Sequence, residues 1–245
     1  MTYDKESFAV SLSITIVSGA NSWMNLYIPR LIDRIKQLGH RAGWIHDIGE
    51  LPSGDLAFYL GCEQIISSSL RQRNRHNLVV HASDLPRGRG WSPLTWKIVE
   101  GMNTVPVVLF EAADKVDSGD IYLSETIEYT GFELIDELRH ALAKVTIKLC
   151  LCFIKRYPDI IGEAKKQEGE ATYYPRRTAQ DSRLDPDRTI REQFNLMRVA
   201  DNKRYPCFFE IDGHLYVLSI TKKSASSQEV VQDERHSARP SLGRC

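Results

Sequence analysis

The sequence of 245 residues lacks the features that mark several specialised protein classes. Its 32 Lys and Arg residues balance its 32 Asp and Glu residues, so it has no basic excess for nucleic acid or an anionic membrane. No apolar run reaches the roughly 18 residues that span a bilayer, and residues 1–10 are too polar for a secretory signal. We therefore expect neither nucleic acid nor a membrane as a partner, and we expect the protein in the cytoplasm.

The sequence also lacks the patterns of a metal site and of a dinucleotide site. The five cysteines do not have the paired spacing of zinc ligands, so we expect reduced thiols and no metal. After the first predicted strand, residues 12–17, the chain continues as Ser-Gly-Ala-Asn and not as the Gly-x-Gly-x-x-Gly turn that binds dinucleotides. A dinucleotide cofactor is therefore not expected.

The chain does contain short β-branched runs that alternate with segments of helical spacing. Such alternation implies crossover connections and a parallel sheet. The predicted fold class is α/β, with a Rossmann-like, doubly wound, mostly parallel sheet. The predicted strands are residues 12–17, 44–47, 56–60, 78–81, 106–111 and 121–127, and the predicted helices are 22–38, 92–100 and 131–157.

Beyond residue 160 the composition changes twice. A polar stretch at 161–172 predicts a linker or exposed loop. A helical segment at 189–199 and an Asp-Gly pair between alternating apolar residues then predict a small C-terminal α+β subdomain that ends in a β-hairpin. From Lys222 the chain turns polar and is predicted to be disordered. The predicted domains are residues 1–172 (the Rossmann-like domain), 173–221 (the subdomain) and 222–245 (the tail).

The most informative segment follows the fourth predicted strand. His81 stands at the carboxyl end of that strand, where open α/β sheets bind ligands, and residues 81–96 are HASDLPRGRGWSPLTW. A tight turn with a carboxylate, DSGDI, follows at 117–121. A histidine and a carboxylate at strand ends suit general acid–base chemistry. The alternatives are a histidine satisfied within a solvated turn and, for Asp117, a turn residue alone.

These two segments resemble the formyltransferases that use 10-formyltetrahydrofolate. That family has a His-x-Ser-Leu-Leu-Pro-x-x-Arg-Gly-x-x-Pro-x-x-Trp loop and, downstream, Asp-x-Gly-x-Ile; the present chain departs from it at Asp84, where the family has Leu, and at Val79, where it has a catalytic Asn. The resemblance implies formyl transfer from 10-formyltetrahydrofolate, with no metal. It also implies that His81 polarises the formyl oxygen and that Asp117 orients the histidine and helps to move the proton.

Because valine donates no hydrogen bond, another group must replace the family's asparagine. Ser83 and Asn77 are the auxiliary candidates on the strand and its loop, with Asn77 on the same face as Val79 but roughly 6–7 Å further back. Asn21 and Asn25, in the turn after the first strand, remain open as well.

The Gly- and Arg-rich part of the loop offers positive charge and unhindered N–H groups. Such a loop suits a phosphate or the glutamate tail of a folate, although a solvated flexible loop is the alternative. The predicted folate-binding residues are Arg89, Gly90, Ser118 and Gly119.

The C-terminal segment is similar to that of the sugar N-formyltransferases, which act on an amino sugar carried by a nucleotide diphosphate. The similarity consists of Arg-Arg-Thr-x-x-Asp-Ser at 176–182 and Arg-Val-Ala-Asp-Asn at 198–202, followed by Tyr-Pro. It implies a nucleotide-linked amino sugar as partner and a place in lipopolysaccharide O-antigen biosynthesis. The predicted substrate-binding residues are Arg198, Asp201, Asn202 and Tyr205, with packing and capping within the subdomain as the alternative.

Three other functions remain open. A methionyl-tRNA formyltransferase would be expected to have a larger C-terminal domain and a basic face, and a formyltetrahydrofolate hydrolase would not need residues 173–220. Because Val79 replaces a catalytic side chain, the chain could also be a pseudoenzyme that binds folate or a nucleotide sugar. The sequence does not decide the sugar, the nucleotide or whether the chain forms a homodimer.

Overall fold

The computed structural model describes residues 11–223. The strands in this part of the chain are β1 (Ser13–Val17), β2 (Arg41–Ile45), β3 (Gly54–Tyr59), β4 (Asn74–His81), β5 (Arg89–Gly90), β6 (Thr104–Glu111), β7 (Ile121–Glu128), β8 (Tyr173–Tyr174), β9 (Cys207–Ile211) and β10 (His214–Leu218). The helices are α1 (Ile28–Gln37), α2 (Ser68–Arg71), α3 (Pro93–Val99), α4 (Ile135–Arg156) and α5 (Ile190–Arg198). No helix among the described residues is long and apolar enough to cross a bilayer.

The main sheet has the strand order β2-β1-β3-β4-β6-β7. The first four of these strands pair in parallel, whereas β6 is antiparallel to both β4 and β7. The predicted mostly parallel α/β sheet is therefore confirmed: β6 alone runs against the other strands of this sheet, and β7 at the edge runs in the same direction as the first four. The short connection at residues 112–120 explains the β6–β7 pairing, because antiparallel strands need no crossover helix.

The helix predicted from 22 to 38 is divided in two. Ser22 caps a short 3-10 turn at Trp23–Leu26, and α1 begins only at Ile28, with Pro29 in its first turn. Proline has a fixed φ and no N–H group, so it suits the start of a helix and disrupts its interior. The prediction of one continuous helix was therefore wrong at this point.

The core lies between the sheet and helices α1 and α4. Helix α4 contacts β6, β7 and α1. It begins at Ile135, later than predicted, because the Glu137 side chain accepts a hydrogen bond from the N–H of Leu134, 2.9 Å away. Of the five residues predicted for its apolar side, Leu138 and Leu149 are buried, whereas Leu134, Ala141 and Val145 are half-buried. The largest buried side chain of this helix is Phe153, which makes an edge contact with Phe58 of β3.

The C-terminal helix and hairpin form as predicted. Thr189 and Glu192 cap α5 reciprocally, and β9 pairs with β10 across a turn in which Asp212 and Gly213 have φ angles of 50° and 79°. Positive φ at both positions is the conformation that an Asp-Gly hairpin turn requires. The domain boundary at residue 172 stays a prediction. The predicted tail from residue 222 lies outside the described residues, except for its first two.

Residues 161–172 are not a plain linker. Lys165 forms an antiparallel bridge with Ile121, at the start of β7, through backbone hydrogen bonds of 2.7 and 2.9 Å. Farther along, Thr172 and β8 join the loop that follows β4, because Arg89 N donates to Thr172 O and β5 pairs with β8. Residues 165–174 are called the strap below. Polar composition identified this segment as exposed but did not reveal these pairings.

Candidate active site

His81 is the last residue of β4 and is 8% exposed. Its Nε2 atom lies 2.8 Å from the carbonyl oxygen of Gly88. Because a carbonyl oxygen only accepts hydrogen bonds, Nε2 carries the proton. In the neutral ring the lone pair is therefore on Nδ1, and an imidazolium would offer a second N–H at that atom.

Asp117 is brought to His81 by the connection between β6 and β7. This connection leaves the sheet beside Asn77, whose carbonyl oxygen accepts a hydrogen bond from Ala112 N, and then folds back. Asp117 Oδ2 lies 3.8 Å from His81 Nε2 and accepts a 2.8 Å hydrogen bond from Gly90 N. The structure thus brings together the two residues predicted to be catalytic. Their roles in catalysis stay predictions.

The turn at Asp117 depends on close backbone contact. Asp117 has a φ of 51°, in the left-handed region that Asp and Asn tolerate better than most residues. A Cβ atom on Gly119 would lie 1.7 Å from the carbonyl oxygen of Glu111, so only glycine fits there. Ser118 Oγ donates to Lys115 O within the same turn. Binding of folate by Ser118 and Gly119 stays a prediction.

The loop after β4 is held by its own hydrogen bonds and by the strap. Ser83 is fully buried and its Oγ donates to Arg87 O, at 2.7 Å. Gly88 N donates to Thr172 Oγ1, at 2.8 Å. Gly90 has a φ of 95°, and a Cβ atom there would lie 2.5 Å from Tyr174 O. The Gly-rich stretch is therefore packed against the strap, and it is not the solvated loop of the alternative reading.

Arg89 is only partly free to bind a ligand. Its NH2 atom donates to Gln167 Oε1 at 2.6 Å, and its NH1 atom donates to Tyr173 OH at 3.3 Å. Its Nε atom is buried and has no hydrogen-bond partner among residues 11–223. One donor of this predicted folate-binding residue is therefore unused.

Gln167 is a site residue that sequence reasoning missed. Its Nε2 atom donates to the carbonyl oxygens of Asp117 and Gly119, each at 2.9 Å. Gln167 lies in the stretch predicted to be a linker, 50 residues from Asp117. No local pattern marks a lone glutamine in a polar segment, so this contact is visible only in the folded chain.

Asp84, a departure from the family pattern, lies near a buried lysine. Lys97 of α3 is 6% exposed, and burial lowers the pKa of its ammonium group, an effect that the carboxylates of Asp84 and Glu100 oppose. A carboxylate at position 84 therefore compensates the buried charge of Lys97, which a leucine would not do.

Most of the candidates for the missing asparagine already use their donors. Both amide hydrogens of Asn77 go to backbone carbonyls, of Arg71 and Asn74, and its Oδ1 accepts from Tyr59 OH. Ser83 donates to its own loop, as described above. Asn25 donates to the carbonyl oxygens of its own turn. Of the four candidates, Asn21 alone has a side chain that is exposed and makes no hydrogen bond within the described part of the chain.

The four predicted substrate-binding residues all make hydrogen bonds within the protein. Arg198 is 1% exposed and pairs with Glu133, and Asp201 pairs with Arg139 at 2.8 Å. Asn202 exchanges hydrogen bonds with the backbone of Ile220, and Tyr205 N donates to Asp201 O. These contacts are the packing and capping roles of the alternative reading. Substrate binding by the four residues stays a prediction.

Residues 45–151, which include both His81 and Asp117, match the family model described as formyl transferase. The formyltransferase resemblance is thereby confirmed for this segment. A curated methionyl-tRNA formyltransferase from Thermodesulfovibrio yellowstonii is 26% identical over 156 residues, which are 63% of this chain and 50% of that protein. The chain thus spans about half the length of this curated relative.

Several solved structures share the fold. A sugar N-formyltransferase from Shewanella sp. superimposes with a TM-score of 0.62 over 86% of this chain and 98% of that chain, at 14% identity. HypX from Aquifex aeolicus in complex with tetrahydrofolic acid superimposes with a TM-score of 0.70 over 83% of this chain and 36% of that chain, at 17% identity. At these identities the similarity establishes the α/β formyltransferase fold and not the acceptor.

Proposed function

We propose that this protein transfers the formyl group of 10-formyltetrahydrofolate to the amino group of a nucleotide-linked amino sugar. The observation that supports this most directly is the approach of Asp117 Oδ2 to within 3.8 Å of His81 Nε2, inside the segment that matches the formyl transferase family. Both side chains are nearly buried, at 11% and 8% exposure. In such a site electrostatic interactions are stronger than in water.

The reaction requires an amine to attack the formyl carbon. A new C–N bond forms, the carbonyl electrons move to oxygen, and collapse of the tetrahedral intermediate breaks the bond to N10 of the folate. In this proposal His81 acts as the imidazolium: its Nε2–H stays on the carbonyl oxygen of Gly88, its Nδ1–H donates to the developing oxyanion, and the Asp117 carboxylate stabilises the positive charge. Asp117 also accepts the proton that the amine sheds and passes it to N10 as tetrahydrofolate leaves, so the carboxylate is restored.

The proposed folate site lies between the loop after β4 and the Asp117 turn. The buried, unpartnered Nε of Arg89 suits a carboxylate of the folate glutamate tail. The tetrahydrofolate in the HypX structure supports a folate in this fold. The four described cysteines are free thiols, which agrees with the proposed cytoplasmic location.

The proposed acceptor rests on the C-terminal similarity and on the neutral charge. Coverage does not favour either acceptor, because the sugar N-formyltransferase from Shewanella is covered over 98% of its length and a methionyl-tRNA formyltransferase from Clostridium thermocellum over 97%. The 32 basic and 32 acidic residues provide no excess charge for tRNA. Methionyl-tRNA is the second candidate acceptor, because the similar proteins from T. yellowstonii and C. thermocellum are named methionyl-tRNA formyltransferases.

The deciding experiment offers 10-formyltetrahydrofolate with separate acceptors. UDP-, GDP- and dTDP-linked amino sugars and methionyl-tRNA are incubated with the protein, release of tetrahydrofolate is followed by absorbance, and products are identified by mass spectrometry. A formylated sugar nucleotide supports the proposal. Formylated methionyl-tRNA alone, or formate without any acceptor, would overturn it in favour of a tRNA enzyme or a hydrolase.

A pseudoenzyme is favoured by one observation, the valine at position 79. Its side chain lies among apolar residues, including Tyr59 and Leu85, and donates no hydrogen bond. If wild type binds folate without turnover, Val79→Asn should restore formyl transfer, and Val79→Thr, similar in size but without an amide, should not. Turnover by wild type excludes the pseudoenzyme.

A further inference from the structure

The Gln167 side chain connects two separate parts of the site. Its Nε2 atom donates to Asp117 O and Gly119 O, each at 2.9 Å, and its Oε1 atom accepts from Arg89 NH2 at 2.6 Å. A primary amide has two donor hydrogens and an acceptor oxygen, so all three functions are in use. A carboxylate lacks the donors and an ammonium group lacks the acceptor. The contact set therefore requires an amide.

Gln167 is itself held in place from both sides. Before it, Lys165 pairs with Ile121 through two backbone hydrogen bonds, of 2.7 and 2.9 Å. After it, Thr172 accepts hydrogen bonds from Gly88 N and Arg89 N, at 2.8 and 2.9 Å. The strap is thus attached to β7 and to the loop after β4. The amide that it presents between these attachments has a defined position.

The Asp117 turn needs external support. Its left-handed φ of 51° is sparsely populated even by Asp, so contacts from the surroundings help to keep the turn in this conformation. The Asp117 carboxylate accepts a hydrogen bond only from Gly90 N among the described residues, so it does little to fix its own backbone. The carbonyl oxygens of Asp117 and Gly119 both end on Gln167, which makes this side chain the main side-chain restraint on the turn.

We infer that Gln167 is a positioning residue that holds the Asp117 carboxylate against His81 without touching either substrate. It acts through two backbone carbonyls of the catalytic turn and through Arg89 of the facing loop. The inference rests on the proposed function, since it assigns Gln167 a part in formyl transfer. A displacement of about 1 Å at a catalytic group can reduce the rate on the order of 100-fold.

The test uses three variants of the full chain. Gln167→Met removes all three hydrogen bonds with little change in length, and Gln167→Glu keeps the acceptor for Arg89 but loses both donors at neutral pH. Gln193→Met is the matched control, because Gln193 also uses its amide on backbone groups, of Asp185 and Arg188, in the C-terminal segment.

We expect Gln167→Met and Gln167→Glu both to lower kcat about 10- to 100-fold while KM for each substrate stays within about 3-fold. Gln193→Met also loses its side-chain hydrogen bonds, but it should leave kcat near that of wild type. If Gln167→Glu keeps the kcat of wild type, the hydrogen bond from Arg89 matters for catalysis and the two hydrogen bonds to the carbonyl oxygens of Asp117 and Gly119 do not. That result, or a rise in KM with unchanged kcat, would overturn the inference.

A second readout does not depend on activity. The Gly90 N–H donates to the Asp117 carboxylate, so hydrogen exchange at Gly90 should accelerate in Gln167→Met and stay unchanged in Gln193→Met. Unchanged exchange at Gly90 in Gln167→Met would overturn the inference even if the variant were less stable. If wild type transfers no formyl group, the proposed function fails, and exchange at Gly90 still decides whether Gln167 holds the turn.

Discussion

Replacement of Arg198 by methionine should separate a structural role from substrate binding. The sequence pattern predicts that Arg198 binds the nucleotide sugar. In the structure its guanidinium is buried and donates to Glu133 O at 3.0 Å, to Asn103 Oδ1 at 2.9 Å and to Glu133 Oε2 at 3.1 Å. Arg198 ends α5, whereas Glu133 precedes α4. The residue therefore joins the C-terminal segment to the main domain.

The expected effect is a large loss of stability. Removing one partner of a buried ion pair costs about 3–5 kcal/mol. Here the loss includes the donors to Glu133 O and Asn103 Oδ1, while the Glu133 carboxylate keeps its hydrogen bonds from Thr130 and Gly131. In a chain of this size that loss corresponds to a fall in Tm of about 6–20 °C. Methionine retains most of the aliphatic length of arginine, so the loss reflects the charge and its hydrogen bonds more than a cavity.

The measurement is the free energy of unfolding by denaturant, with Arg183→Met as the matched control. Arg183 pairs with Glu210 at 3.2 Å, but the two side chains are 49% and 45% exposed. An exposed pair contributes about 0–1 kcal/mol, so the control should unfold close to wild type. If Arg198→Met is as stable as this control and instead raises KM for the nucleotide sugar, Arg198 binds substrate and the structural reasoning is wrong.

Glu133, the partner of Arg198, makes stability depend on acid pH. Burial raises the pKa of this carboxyl group, but hydrogen bonds from Thr130 and Gly131 outweigh that effect and bring the pKa to about 2. The folded pKa is thus below the ordinary value of 4.5. The stabilisation is complete above about pH 4.5 and is lost as the pH falls toward 2.

Three further predictions follow from the site and from this carboxylate. His81→Ala and Asp117→Asn should each lower kcat about 10²- to 10⁴-fold with Tm nearly unchanged, and a variant that keeps more than about a third of the activity contradicts its assigned role. Gly119→Ala should lower both Tm and kcat, because its Cβ would meet a carbonyl oxygen at 1.7 Å, whereas Gly162→Ala, with nothing within 4 Å, is the neutral control. Glu133→Gln should reduce the loss of unfolding free energy between about pH 4.5 and 2. If the unfolding free energy of the variant falls as steeply as that of wild type over this range, Glu133 is not the source of the acid sensitivity.

Much of the fold is determined by patterns that are local in the sequence. The strands around the core are short runs rich in apolar residues, the hairpin follows from Asp212 and Gly213, and α5 follows from its capping residues. The pairing of His81 with Asp117 was also predictable, because both belong to short motifs with family spacing. For the strands, the hairpin and α5 the information lies within a few residues, so backbone preference and turn chemistry suffice to predict them. The pairing of His81 with Asp117 instead followed from the resemblance to a family.

Tertiary structure alone decided the features that depend on distant contacts. The antiparallel pairing of β6 with β4 is one of them, because no periodicity indicates which strand becomes the neighbour of β6. Gln167 reaches Arg89 across 78 positions of the chain, and Arg198 reaches Asn103 across 95. A polar side chain looks the same in sequence whether it is solvated, binds a substrate or satisfies a buried carbonyl group. Only the folded chain shows which partner each one has, because hydrogen bonds are set by distance in space and not by separation in sequence.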